Sequence, residues 1–86
     1  MPEISRFYGI IIRMFYNDHN PPHFHALYGN DEAVIDIKTL DYLDGNLPKR
    51  ARNLVNEWAL EHRDELLSNW EKGRKPEELQ PIEPLN

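Results

Sequence analysis

Three of the four histidines of this chain fall within seven residues, in the run Asp18-His19-Asn20-Pro21-Pro22-His23-Phe24-His25. Imidazole gives and takes protons near neutral pH and also binds transition metals. On a strand, His23 and His25 stand about 6.6 Å apart at Cα and project to one face. That spacing lets two rings converge on one metal ion or one anionic substrate. His19, in the loop before them, can fold over the pair. Three uses of these rings stand side by side. They can cap loop carbonyls, with no chemistry at all. They can act as acid and base in metal-free RNA cleavage, with His19, His23, His25 and Arg13 as the site and Arg13 or Arg6 holding the phosphate. Tyr16 and Tyr28 would then stack a base. Or His23, His25 and His19 can hold a metal, although no fourth ligand is evident. The chain has no cysteine, so any metal would rely on imidazole and carboxylate. Nothing in the sequence calls for a cofactor.

A second cluster is basic. Lys49, Arg50 and Arg52 crowd the start of a helix, where the macrodipole is already positive. Either Asp41 and Asp44 in the preceding loop offset them, or an anionic partner does. That partner would be nucleic-acid phosphate or an acidic protein surface. His62 falls on the apolar helix face, away from His23 and His25, and reads as a half-buried core histidine. Trp58 and Trp70 read as core anchors on the same face.

The elements that must position these groups follow from periodicity. Phe7 to Tyr16 is β-branched and aromatic and reads as one central strand. Asn17 to Pro22 is a loop, because Asn20-Pro21-Pro22 removes two backbone donors. His23 to Tyr28 is a strand, with Phe24, Ala26 and Tyr28 buried and His23 and His25 outward. Gly29-Asn30-Asp31 turns it into Glu32 to Lys38. Tyr42-Leu43 is a short further strand. From Pro48, apolar residues at 3–4 spacing through Trp70 predict one long helix ending near Gly73. The fold class is α+β. An antiparallel β-meander of three to four strands (1–46) packs on one long helix (47–74), with an extended tail (75–86) that docks Leu79, Ile82 and Leu85.

With 86 residues the chain is a single domain. Its formal charge of −5, with 40% hydrophobic and 29% charged residues, suits a soluble globular protein and argues against broad DNA binding. The acidity is uneven. Residues 31–48 hold a single lysine against five carboxylates, whereas 49–63 are net basic. The longest apolar run, Gly9 to Ile12, cannot span a membrane, and Met1 to Arg6 lacks a signal pattern, so a cytoplasmic location is expected.

Several stretches carry a resemblance. Met1 through Phe15, Asp18-His19 through His23-Phe24-His25, Ala33 to Ile37, Leu47 to Ala51, Glu57-Trp58-Ala59, His62-Arg63 and Ile82 to Leu85 are similar to a family of short bacterial proteins, domain of unknown function 4160. At Leu40 the family resemblance leads one to expect a turn glycine. The resemblance implies one half of a toxin–antitoxin-like pair, acting with a neighbouring small protein of domain of unknown function 2442. It assigns no catalytic residue. If this chain is the toxic half, the histidine segment is its ribonuclease-like site. A non-enzymatic interaction module and a histidine-based metal-binding domain are the other two expectations.

Overall fold

The stretch from Phe7 to Tyr16 belongs to a hairpin and its exit loop rather than to one strand. In the computed structural model, which describes residues 3–75 and 77–86, β1 (Glu3–Phe7) turns at Tyr8-Gly9 into β2 (Ile10–Arg13). Tyr8 and Gly9 have φ of 51° and 81° and join the Phe7–Ile10 pair. Positive φ at both central residues marks the two-residue turn whose twist suits a hairpin. The mid-run glycine is the sequence sign of that turn, and the β-branched run on either side hides it. The hairpin adds a strand. β3 (His23–Tyr28), β4 (Asp31–Asp36) and β5 (Tyr42–Gly45) complete a sheet of five antiparallel strands in the order β1-β2-β3-β4-β5, against the three or four expected.

Alternation sorts the sheet into two faces. Ile10, Ile12, Phe24, Ala26, Ala33 and Ile35 are fully buried on the inner face. Tyr28, placed with them by the pattern, lies exposed near the strand end. On the outer face, register aligns Glu3, Arg13, His25, Val34 and Asp44 in one row across all five strands. Directly opposed residues share a face, so this row is fixed by pairing alone.

The inner face is covered by two helices, α1 (Lys49–Glu61) and α2 (Arg63–Gly73), where the apolar spacing predicts one. The break falls at His62, whose φ and ψ are −119° and 21°. Its Nδ1 lies 2.6 Å from Glu65 Oε1, and Asp64 and Glu65 occupy the first turn of α2. Carboxylates favour that position, so the second helix starts with its own N-terminal signature. Arg63 Nε donates to the Ile37 carbonyl at 3.1 Å, tying the junction to the end of the sheet. Apolar periodicity runs through the break because α2 keeps Leu66 and Trp70 in the core.

Trp58 anchors α1, with its ring 5.3 Å from Phe7 and 5.9 Å from Phe24. The tail beyond Glu77 has neither helix nor strand and docks as the sequence suggests. Leu79 and Ile82 are buried and Leu85 packs partly against the core. Ile82 N–H donates to Ile4 O at 2.7 Å, and the Trp58 indole N–H donates to Glu83 O at 2.8 Å.

Candidate functional site

The loop between β2 and β3 returns across the outer face of the sheet at its histidine end. It is fixed at several points. Asn17 N–H donates to Gly73 O at 2.9 Å, and Ile37 N–H donates to Pro22 O at 3.0 Å. The Tyr16 hydroxyl accepts from Leu79 N–H at 3.3 Å. The loop brings Phe15 edge-on to His25, with ring centroids 4.5 Å apart. It also brings a residue that the histidine pattern did not single out. Asp18 Oδ2 stands 2.8 Å from His23 Nε2 and 3.7 Å from His25 Nε2.

His23 and His25 do share a face, as their spacing requires, and their rings are 5.4 Å apart. His23 is not outward in the sense expected. Only 8% of its side chain is exposed, because Trp70 packs 5.0 Å from one side of the ring and the loop covers the rest. Its Nδ1 lies 2.7 Å from Pro21 O. A carbonyl only accepts, so Nδ1 carries hydrogen and Nε2 meets Asp18. His25 is oriented in the same way. Its Nδ1 lies 3.2 Å from Glu32 Oε2, a carboxylate acceptor. That leaves His25 Nε2 buried with no hydrogen-bond partner.

Burial alone would push the Asp18 carboxyl up. The hydrogen bonds from His19 N–H and His23, with the charges of those two rings, outweigh it and hold the carboxyl below its usual range. Asp18 is therefore the anionic side of its 2.8 Å contact with His23 Nε2.

His19 stays on the rim. Its side chain is 92% exposed, and its Nδ1 is 3.3 Å from Asp18 Oδ1. Asp18 takes the covering position expected of His19, because the side chain preceding His19 is the one that turns inward. Arg13 is the register neighbour of His25 and forms no ion pair among the described residues. Arg6 is elsewhere, held in a two-pronged pair with Glu3 at 3.0 and 2.7 Å. Those hydrogen bonds keep the Glu3 carboxyl below its usual range. His62 takes no part in the cluster. It is half-buried beside Trp58, with its hydrogen bond to Glu65, as its helical register suggests.

The basic cluster is only partly answered. The Arg52 guanidinium lies 4.7 Å from the centroid of the Tyr42 ring. Burial pushes the Tyr42 hydroxyl up, against the charge of Arg52. Among the described residues no ion pair joins Lys49, Arg50 or Arg52 to Asp41 or Asp44. The offset comes from an aromatic face rather than a carboxylate.

Asp18, His23 and His25 therefore each bring a ligand atom to within 4.8 Å of the other two. They open on a cleft of about 370 Å³ lined also by His19, Asn20, Pro21, Val34, Leu43 and Asp44. Two functional residues escaped the histidine pattern. Asp18 had a signal, since an acid beside a histidine in a proline-bounded loop has little room to turn away. Glu32 had one in the hairpin register, which pairs it with Leu27 and so sets it diagonal to His25 on one face.

A five-stranded meander backed by two helices, with a histidine–carboxylate cleft on the open face, defines a small α+β domain. The profile of the family described as Domain of unknown function (DUF4160) matches residues 9–71, and the chain belongs to that family. Neither curated proteins nor solved structures gave a match. No described helix is long and apolar enough to cross a membrane.

Proposed function

We propose that the cleft over β3 is a site for RNA cleavage by transesterification, in a chain that works with a small protein partner as one half of a toxin–antitoxin-like pair. The observation that carries the chemistry is the Glu32–His25 dyad. Glu32 holds His25 Nδ1 at 3.2 Å, and Nε2 is left without a partner in a residue that lines the cleft. That is the arrangement of a general base held by an orienting carboxylate. His25 Nε2 takes the proton of a ribose 2′-hydroxyl, whose oxygen attacks the adjacent phosphorus. The exposed His19 on the rim returns a proton to the departing 5′-oxygen. Arg13, next to His25 in register, lends positive charge to the phosphate. The partnership is supported by the family resemblance, not by any contact within the chain.

Incubating the purified chain with short single-stranded RNA tests this. Cleavage to 2′,3′-cyclic phosphate ends is expected, with His25→Ala slower by about 10²- to 10⁴-fold. Intact RNA after prolonged incubation with folded wild-type chain removes the reading.

A non-enzymatic reading keeps one observation of its own. Lys49 and Arg50 sit on an exposed helix start with no carboxylate partner among the described residues. They suit an acidic protein surface. Co-purification with the neighbouring small protein that weakens with salt, and no RNA cleavage, would favour it.

A further inference from the structure

We infer that Asp18, His23 and His25 form a binding site for a first-row divalent metal ion of the zinc class. Four observations lead there. First, both imidazoles present Nε2 to one point because each Nδ1–H is held from behind, His23 by the Pro21 carbonyl at 2.7 Å and His25 by the Glu32 carboxylate at 3.2 Å. A carbonyl or carboxylate on the far nitrogen is how metal-bound histidines are oriented and their donor atoms made more basic. Second, Asp18 Oδ2 completes the set, and the three ligand atoms lie within 4.8 Å of one another. Two imidazoles and one carboxylate, with no thiolate available, suit zinc, iron(II) or nickel(II).

Third, His25 Nε2 is buried with no hydrogen-bond partner. Such an atom costs stability unless something fills its lone pair. Asp18 Oδ2, 3.7 Å away, is beyond hydrogen-bond distance and does not. A cation satisfies both. Fourth, the cleft and its rim carry the carboxylates Asp18, Glu32 and Asp44, with Arg13 beside His25 in register and Arg74 on the rim by Asp18 and His19 as the nearby guanidiniums. Three carboxylates around one cleft attract a cation.

An ion at this point would take a donor atom from each of the three side chains in place of the 2.8 Å His23–Asp18 hydrogen bond. Trp70 behind His23 and Phe15 against His25 form an apolar wall around the two rings. The remaining coordination positions face the cleft, where His19 Nδ1 sits 3.3 Å from Asp18 Oδ1. With the ion in place, His25 Nε2 is a ligand, and activation of the nucleophile passes from that nitrogen to the cation. The inference rests on the reading of this cleft as the working site, but not on RNA as its substrate.

The test is titration of untagged, chelator-treated full chain with zinc, followed calorimetrically. One ion per chain is expected. Asp18→Asn and His25→Ala should each weaken binding at least tenfold, and Glu32→Gln by about 10- to 100-fold. His62→Gln should leave it unchanged. Far-ultraviolet dichroism of each variant confirms that it is folded. Asp18→Asn keeps the shape of the side chain, so it tests the donor rather than the packing. No saturable zinc binding by folded wild type overturns the inference, as does binding indifferent to both Asp18→Asn and His25→Ala. RNA cleavage that persists under chelator, with no zinc bound, overturns the metal and leaves the acid–base reading standing. Stoichiometric zinc without RNA cleavage upholds the metal and removes the RNA reading.

Discussion

Asn69 shows how much one polar side chain does for this fold. It is buried on α2, and both ends of its amide serve the backbone of Gln80. Its Nδ2–H donates to the Gln80 carbonyl at 2.7 Å, and its Oδ1 accepts the Gln80 N–H at 2.9 Å. Leucine fills similar space but leaves both backbone groups without a partner. Each such group costs about 1–3 kcal/mol. Asn69→Leu is therefore expected to lower stability by about 2–4 kcal/mol, measured by urea unfolding. The site residues divide along a physical line. His23 and His25 were legible as a pair because strand period puts them on one face whatever surrounds them. Asp18 and Glu32 were not, because their approach depends on a loop path and a hairpin register. Arg13 was legible as a neighbour of the histidines but not as the register partner of His25. Leu40, at φ 64°, is left-handed in the very turn where glycine is expected. The backbone demand there was readable from the family pattern, and a leucine meets it while packing partly against the core.

At the scale of elements, the turns carry the sharpest expectations. Tyr8 is exposed and left-handed ahead of Gly9. Asn-Gly is the favoured pair for this turn, so Tyr8→Asn should raise stability by about 0.5–1 kcal/mol. Glycines 29 and 45 look alike in φ, at 60° and 68°, but differ in surroundings. A Cβ at Gly29 meets nothing within 4 Å, whereas one at Gly45 falls on the Glu32 carbonyl oxygen at 2.1 Å. Gly29→Ala should cost only the left-handed penalty of about 1–2 kcal/mol. Gly45→Ala should cost clearly more, since β5 must move off β4, and amide exchange along β4 and β5 should rise with it. Comparing the two in one unfolding series separates backbone preference from collision. The long helix was misread for a related reason. Apolar spacing reports which face is buried, and that face continues across His62. The restart is written in the acids Asp64 and Glu65, which mark a helix beginning rather than its middle.

The whole molecule is held shut by its last residues. Layering was legible, since alternation and 3–4 spacing separate a sheet from helices without knowledge of contacts. Strand number was not, because a β-branched run conceals a hairpin. The docking of the tail was readable from its three aliphatic residues, but not its partners. Leu79 and Ile82 are core members, and each buried aliphatic side chain contributes about 1.5–3 kcal/mol. Removing residues 79–86 should therefore cost about 3–6 kcal/mol, comparable with the whole stability of a small domain. A thermal melt of the shortened chain is expected to lose its cooperative transition, whereas Leu85→Ala alone should keep it.

That closure bears on how the protein is made. Each strand pairs with the one before it, so the sheet can assemble hairpin by hairpin as it leaves the ribosome, with only short loops to close. The hydrogen bond from Ile82 to Ile4 joins a segment made after both helices to the first strand. Until then the nascent domain lacks Leu79 and Ile82 over its core, and the Trp58 indole lacks the Glu83 carbonyl. A chain clipped before Leu79 is thus marked by the apolar surface it leaves open.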